Sequence, residues 1–283
     1  MKTFLTLVLA AASSAAAAQT PAINPMPDGS RDMFVGVGVG VGPRYDGSDD
    51  TRVRALPLLQ IEWSNGVFIS GASAGMHLSS NPALEYGPLL GIKMRRSEAG
   101  EGLGVIGTTA SLSPTVAAAI ERQKRDGNGL DGMDPVPTRL QGGGFLNYYL
   151  SPTLRLANSV LAGAGRERDG AVWNVDLQQM AGPVSGRHAV SLSAGLTFAN
   201  RSYNESAFGV SLPESFRSGN EIYLPGGGLN DIHAAVRWNW SLSPSWLLTT
   251  NARVVRLTGD AKHSPLVRRP SNFSVTTGLA YRF

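Results

Sequence analysis

The sequence predicts an all-β fold, a transmembrane antiparallel up-and-down β-barrel of twelve strands, with ten strands as the alternative. The final segment, Asn272–Phe283, alternates apolar and polar side chains without interruption. Because successive side chains of a strand point to opposite faces, this pattern is typical of a strand with one lipid-facing side. After the N-terminus no apolar run reaches the length of about 18 residues that a membrane helix needs. Short and long connections also alternate along the chain, as in barrels whose tight turns share one end.

The N-terminus carries an export signal. The apolar run Phe4–Ala12 leads into an Ala-x-Ala cleavage signal that ends at Ala18. This order predicts a cleaved signal peptide over residues 1–18, followed by a proline-containing periplasmic leader over 19–31. A single barrel domain, 32–283, then remains, and we expect it in the cell outer membrane.

Composition excludes several classes of function. The 283 residues contain no cysteine, so disulfides and thiolate metal sites are excluded. The formal charge of +4 is too small to indicate nucleic acid as a partner. An exported chain also leaves the compartment that contains nucleic acid. The expected partners are outer-membrane lipid and the barrel-assembly machinery. No cofactor is predicted.

The first predicted strand, residues 33–42, alternates glycine with apolar residues, mostly valine. A glycine-rich nucleotide loop would lead into a helix, whereas here Pro43 and a polar loop follow. We therefore interpret the glycines as small inward residues in a narrow barrel.

The other strands follow in order, most of them separated by turn residues. They are predicted at about 52–63, from the Asn65-Gly66 turn to 78, 84–96, 103–111, 138–150, 153–163, 171–181, 187–199, 230–242, 245–257 and 272–283. The strand at 103–111 has the weakest pattern, and without it the count is odd. Twelve strands place both termini in the periplasm and the long loops outside.

Strand parity predicts a lumen rich in charge. The residues assigned to the inner face are Arg52, Arg54, Glu62, Glu85, Lys93, Arg95, Arg139, Arg155, Asp176, Arg237, Arg253 and Arg282. Nine of these are basic and three acidic, and charge is tolerated in a lumen but costly on the lipid face. Four loop acids are expected to fold inward and pair with the arginines: Asp46, Asp49, Asp50 and Asp260. The alternative is a water-filled lumen with solvated charges.

Aromatic residues are expected at the membrane interfaces. The five tryptophans, which we assign to the girdles together with nearby tyrosines, are Trp63, Trp173, Trp238, Trp240 and Trp246. The alternating C-terminal strand ends on an aromatic residue, and this ending resembles the assembly signal of bacterial outer-membrane barrels. Its two expected determinants are Tyr281 and Phe283.

The segments between the strands resemble, in order, the signatures of the MipA/OmpV family. They are residues 45–59, 201–211, 226–231, 259–267 and the Tyr-Arg-Phe ending. The resemblance spans essentially the whole mature chain, although Lys262 and His263 depart from the more acidic pattern expected there, and the polar insertion at 121–126 is longer than usual. It implies an outer-membrane protein. The MltA-interacting members are described as scaffolds that join a lytic transglycosylase to a murein synthase, and others as antigens or adhesins.

We therefore expect a non-enzymatic scaffold or surface protein, with a passive anion-biased channel for small solutes as the alternative. An outer-membrane hydrolase is the enzymatic rival, because Asp260, His263 and Ser264 include the residue types of a catalytic triad. Three residues so close in one loop rarely orient as a triad requires. The four histidines lack metal-ligand spacing, and the acids near Asp46 lack the twelve-residue calcium-loop pattern.

Overall fold

The computed structural model describes residues 31–79, 81, 83–97, 100–101, 129–163 and 170–283. The strands, in chain order, are β1 (Arg31–Pro43), β2 (Thr51–Trp63), β3 (Val67–Ser70), β4 (Ser73–Met76), β5 (Leu84–Lys93), β6 (Arg96–Ser97), β7 (Gly100–Glu101), β8 (Arg139–Ser151), β9 (Leu154–Gly163), β10 (Ala171–Ser185), β11 (His188–Ala199), β12 (Gly228–Ser241), β13 (Trp246–Leu257) and β14 (Ser271–Arg282). Twelve of them form a closed antiparallel barrel, while β6 and β7 make a separate ribbon. The predicted fold class is confirmed.

The barrel closes between its first and last strands, since β14 pairs with β1 along their length. The valines of β1 point outward, with Val37 75% exposed. The glycines face inward, and leucines of β2 approach one inward glycine of β1 and one of β14. A Cβ at Gly40 would lie 3.2 Å from Leu56, and one at Gly278 would lie 2.3 Å from Leu58. Glycine is therefore needed so that two leucines can fill this side of the lumen.

The twelve barrel strands are not the same segments as the twelve predicted ones. The predicted third strand is two short strands, β3 and β4, because Gly71 adopts a left-handed conformation (φ 57°) and turns the chain back. β5 then pairs directly with β8, so no strand stands between them. The predicted strand at 103–111 lies outside the described residues, as do the predicted signal peptide and all but Arg31 of the leader. As a result β5 runs opposite to its predicted direction, and the connection 77–83 moves to the opposite end.

The two ends of the barrel differ. One end carries the three longest connections, residues 94–138, 200–227 and 258–270, together with 44–50 and 164–170, and we call it the loop end. The other carries both ends of the barrel sequence and the connections 64–66, 77–83, 152–153, 186–187 and 242–245, and we call it the turn end.

Aromatic side chains surround the outside of the turn end. The rings of His188, Trp238 and Trp240 stack with centroids 5.5–6.0 Å apart. On the neighbouring strands, Trp246 packs edge-on against Tyr281 at 5.1 Å. Near the loop end, Trp173 stacks on Phe198 at 5.2 Å. The tryptophans thus lie near both rims, as interfacial aromatic girdles do.

Within the described part of the chain, no helix has both the length and the apolar character needed to cross a membrane.

Two short helices lie in the connection between β11 and β12. Helix α1 (Arg201–Phe208) begins at Asn200, whose side chain accepts a hydrogen bond from the Tyr203 backbone at 2.9 Å. Helix α2 (Leu212–Ser218) begins with a capping box formed by Ser211 and Glu214. These local signals place both helices at the loop end.

Candidate functional site: the capped lumen

Four connections pack together over the loop end of the barrel, and we call this assembly the cap (residues 44–50, 129–138, 200–227 and 258–270). Its hydrophobic core takes at least one side chain from each connection. The buried members are Tyr45, Leu130, Met133, Val210 and Leu266, with Tyr223 packed against them. A second cluster joins Phe208, Leu257 and Ala261. The cap therefore has a core of its own above the lumen.

Hydrogen bonds tie distant parts of the cap together. The Tyr45 hydroxyl donates to the Leu266 carbonyl at 3.1 Å, and the Ser264 hydroxyl donates to the Phe208 carbonyl at 2.6 Å. The Arg96 guanidinium donates to the Ala207 carbonyl. Because these acceptors are backbone groups of other connections, each bond fixes how two connections lie against each other.

Burial and charge alter the acidity of two cap tyrosines. Burial raises the pKa of Tyr45, and Asp49 and Asp50 add to the effect, although Arg268 opposes it. Burial also raises the pKa of Tyr223, with a contribution from the nearby Asp260. Both phenols therefore stay neutral hydrogen-bond donors beyond their usual pH range.

A cluster of cations lies beneath the cap. Arg54 donates from one guanidinium nitrogen to the carbonyls of Pro43 and Arg44, both at 2.8 Å. The Lys93 ammonium lies 4.0 Å from the centre of the Tyr203 ring, which is a cation–π contact between the barrel wall and α1. The Nε atoms of Arg54 and Arg253 are buried without a hydrogen-bond partner among the described residues. This part of the lumen is therefore basic.

Asp46 is the acid of the β1–β2 connection that interacts with this cluster. Removal from bulk water and the nearby Asp231 raise the pKa of its carboxyl, while Arg253, Arg54 and Lys93 lower it. The side chain remains open to lumen water, which screens these effects. It forms no ion pair within 4.0 Å in the described chain, so it faces the cations across a gap.

His233 lies between two carboxylates on the inner face of the barrel. Nε2 of His233 is 2.9 Å from Asp176, and Nδ1 is 2.9 Å from Asp231. The His233 side chain is only 5% exposed. A protonated imidazole can donate to both carboxylates at once, so the trio links β10 to β12 and keeps one net negative charge.

A second polar network lies nearer the turn end. Both oxygens of Glu85 are used: one accepts from the Tyr149 hydroxyl at 2.8 Å and the other from Asn147 at 3.1 Å. Arg155 lies 4.0 Å from the same carboxylate and donates to Gln178 at 2.8 Å. Glu85 and Arg155 thus compensate each other's charge inside the lumen.

Strand register places most of the predicted charges on the inner face. Arg52 and Arg54 lie opposite inward glycines of β1, Arg139 opposite Lys93, Arg253 opposite Ser274 and Arg282 opposite Phe34. Arg237 lies across from Asn251 near the turn end, and Glu62 across from Phe68.

Arg95 is not where the sequence predicted it. β5 ends at Lys93, so Arg95 is exposed beyond the strand instead of facing the lumen. The next residue, Arg96, is buried and bonded into the cap. Strand parity does not extend past the end of a strand, and the predicted strand was three residues too long.

The four loop acids lie in different environments and do not all pair with arginines. Asp50 lies 3.7 Å from Arg44, which is itself buried, while Asp49 is exposed. Asp260 accepts from the Gly226 backbone at 2.6 Å and pairs with no arginine among the described residues. Sequence reasoning missed Asp231 and Arg44. Asp231 lies within the predicted strand 230–242 and shares its parity with His233, so applying the same parity to the start of that strand would have found it.

The triad candidates are not arranged for catalysis. Ser264 is 3% exposed and its hydroxyl is bonded to the Phe208 carbonyl. Asp260 bonds to Gly226, and His263 follows it in a 3-10 turn at Ala261–His263. Among the described residues no hydrogen bond joins His263 to Ser264, and no group of three acids or histidines is placed to hold a metal ion.

Comparisons with known proteins identify a matching family model, related sequences and similar solved structures. A family model described as MltA-interacting protein MipA matches residues 35–283. The chain is 25% identical to the MltA-interacting proteins of Escherichia coli (strain K12) and Shigella flexneri over 257 residues, covering 90% of this chain and 91% of each relative. A solved structure of the NanC porin matches 88% of this chain and 100% of its own, with 9% identity and a TM-score of 0.48.

Proposed function

Because the chain belongs to the MipA family, we propose that it is a non-enzymatic outer-membrane barrel that holds a lytic transglycosylase, and through it a murein synthase, at the periplasmic side. Support for the first partner comes from the relatives, which are called MltA-interacting proteins and align with this chain over about nine-tenths of both lengths. Support for the location comes from the N-terminal export signal and from the apolar outer face of the barrel.

The burial of the cap supports the opposite end of the barrel as the surface that binds a protein partner. The motifs shared with the family, around Tyr45, Val210 and Leu266, are buried against one another there. Side chains committed to such a core are unavailable to a partner. The turn end and the leader then remain for a partner in the periplasm, where a murein enzyme acts.

The test is capture of a purified lytic transglycosylase by the mature, detergent-solubilised protein. A six-residue Gly-Ser insertion between Gly186 and Arg187 at the turn end should abolish capture. The same insertion between Glu221 and Ile222 in the cap should leave it unchanged. Gly186 is suitable because an added Cβ there would meet nothing within 4 Å. Loss of capture only with the cap insertion would place the partner at the loop end and overturn the proposal.

A passive anion-biased channel is the second candidate function. The cluster of Arg54, Arg253 and Lys93 beneath the cap supports it, because several positive charges close together in a low-dielectric wall attract anions. Planar-bilayer recording separates the two candidates. Steady anion-selective currents without partner capture would favour the channel, and capture without current would favour the scaffold.

A further inference from the structure

A cavity of about 400 Å³ lies inside the barrel toward the turn end, below the cationic cluster. Six strands, β2, β3, β5, β8, β9 and β10, supply most of its wall. Its volume falls in the range of about 300–1,000 Å³ that is usual for small-molecule sites. Neither the cap nor the proposed partner surface at the turn end accounts for it.

Each acid in the wall of this cavity has a basic side chain beside it. The pairs are Glu85 with Arg155 at 4.0 Å, Asp176 with His233 at 2.9 Å and Glu62 with His77 at 4.0 Å. A cationic ligand would have to compete with these neighbours for the carboxylates. An anionic ligand would meet three carboxylates at once. The wall therefore favours an uncharged ligand that binds through hydrogen bonds.

Polar groups that can bind such a ligand are open to the cavity. The exposed Gln60 amide makes no hydrogen bond to the part of the chain that the structure describes. The Gln178 amide accepts from Arg155 at 2.8 Å through its oxygen, and its nitrogen donates to none of the described residues. Asp176 binds His233 through one oxygen and has its second oxygen available as an acceptor. Donors and acceptors thus lie side by side, and a hydroxyl group can use both.

An aromatic surface adjoins these polar groups. Phe68, His77 and Phe145 all line the cavity, and their ring centroids are 4.9–5.7 Å apart. The face of an aromatic ring carries partial negative charge, so it packs well against weakly polarised C–H groups. The cavity therefore suits a ligand with hydroxyl groups around its edge and a C–H face.

The combination selects one class of ligand. An inorganic cation prefers several oxygen ligands at short range, and the described residues offer no group of three acids or histidines placed to hold one. An apolar solute would leave the amides and carboxylates without partners. We propose that the cavity binds an uncharged pyranose sugar, with Gln60, Gln178 and Asp176 bonding its hydroxyl groups and Phe68 and Phe145 packing against the C–H face of its ring.

Isothermal titration of the full mature protein tests this inference, in a detergent without a sugar headgroup. The probes are the methyl pyranosides of glucose, galactose and mannose, which differ in the orientation of single hydroxyl groups. Glucitol, which has hydroxyl groups but no ring, and the methyl glycoside of glucuronic acid, which has the ring and a carboxylate, are the matched ligands. We expect saturable binding of at least one pyranoside, at least tenfold tighter than that of either matched ligand.

Variants identify the site. Gln60→Leu should weaken binding of the pyranoside about tenfold, because it removes a donor and an acceptor at nearly constant volume. The Gln60 amide bonds to none of the described residues, so this variant should fold normally. Phe145→Leu should weaken binding by a similar factor, because it removes an aromatic face. Asn251→Leu is the matched control, since Asn251 faces Arg237 across the lumen wall on β13 and does not line the cavity.

Two results would overturn the inference. One is the absence of saturable binding for all three pyranosides, or equally tight binding of glucitol. The other is an unchanged affinity in Gln60→Leu, or an equal loss in Gln60→Leu and Asn251→Leu. None of these results affects capture of a lytic transglycosylase, so the proposed function is tested separately.

Discussion

The Tyr45 hydroxyl donates a hydrogen bond to the Leu266 carbonyl at 3.1 Å, across 221 positions of sequence. Tyr45 follows the first barrel strand and Leu266 precedes the last, so this one bond joins the first and the last connection of the loop end within the cap core. Both residues are almost completely buried, at 4% and 1% exposure. The contact shows that two of the segments that resemble family signatures, 45–59 and 259–267, bind one another.

Tyr45→Phe should loosen the cap without affecting the barrel. The substitution keeps the ring but leaves the Leu266 carbonyl without its buried donor, which costs about 1–3 kcal/mol. Limited proteolysis of the cap should accelerate while the heat-modifiable gel shift of the barrel is retained. Tyr148→Phe is the control, because Tyr148 is 46% exposed on the outer face. Equal proteolysis of both variants would show that the bond does not hold the cap.

The cap should also loosen at alkaline pH. Burial raises the pKa of Tyr45 above its value in the unfolded chain. A group of this kind contributes stability that is complete below the unfolded pKa, near 10, and is lost as the pH rises through the folded pKa. Proteolytic sensitivity of the cap should therefore rise above about pH 10, and less steeply in Tyr45→Phe. An identical pH profile in both proteins would assign the effect to other groups.

Ser264→Ala should destabilise the cap, whereas His263→Ala should have little effect. The Ser264 hydroxyl is buried, donates to the Phe208 carbonyl at 2.6 Å and accepts from the Leu266 backbone at 3.2 Å. Its removal should cost about 1–3 kcal/mol of local opening free energy. His263 is exposed beside it. Hydrogen exchange of the Leu266 amide measures the difference, and equal exchange in the two variants would contradict the packing role of Ser264.

Asp46→Asn should shift ion selectivity if the lumen conducts. Asp46 is the loop acid that interacts with Arg54, Arg253 and Lys93. Removing its charge raises the positive potential beneath the cap, so the chloride-to-potassium permeability ratio should increase by about twofold or more. Asp49→Asn is the matched control, because Asp49 is exposed and is absent from this cluster. Reversal potentials in a salt gradient give the ratio. An equal shift in both variants would rule out a specific role for Asp46.

Phe283→Ala should impair assembly, whereas Phe273→Ala should not. Phe273 is on the outer face of β14 and Phe283 directly follows that strand, and the two side chains are almost equally exposed, at 62% and 63%. Phe283 lies at the turn end, stacked on Tyr281 at 6.4 Å, and its backbone donates to the Met33 carbonyl at 3.2 Å. Since the two side chains are equally exposed, a difference in assembly between the two variants reflects where each side chain lies along the chain. The folded, heat-modifiable fraction in outer membranes measures it, and equal losses would reject the terminal signal.

The sequence alone determined the wall of the barrel. A strand repeats every two residues, so Phe273, Leu279 and Tyr281 could be assigned to one face, and Arg54 and Arg253 to the other, without knowing any partner strand. The inward orientation of the glycines in the first strand was predictable for the same reason. Turn residues at Asn65-Gly66 marked a strand end that the structure confirms.

Only the tertiary structure decided what fills and covers the barrel. His233 meets Asp176 across 57 positions and Tyr45 meets Leu266 across 221, and no local period encodes such distances. Arg95 is exposed instead of facing the lumen because β5 ends at Lys93, and the next residue, Arg96, is bonded into the cap. The turn at Gly71 likewise decided the direction of β5. Alternation is a property of neighbouring residues, whereas the cap, the charge clusters and the cavity arise from side chains that meet only when the barrel closes.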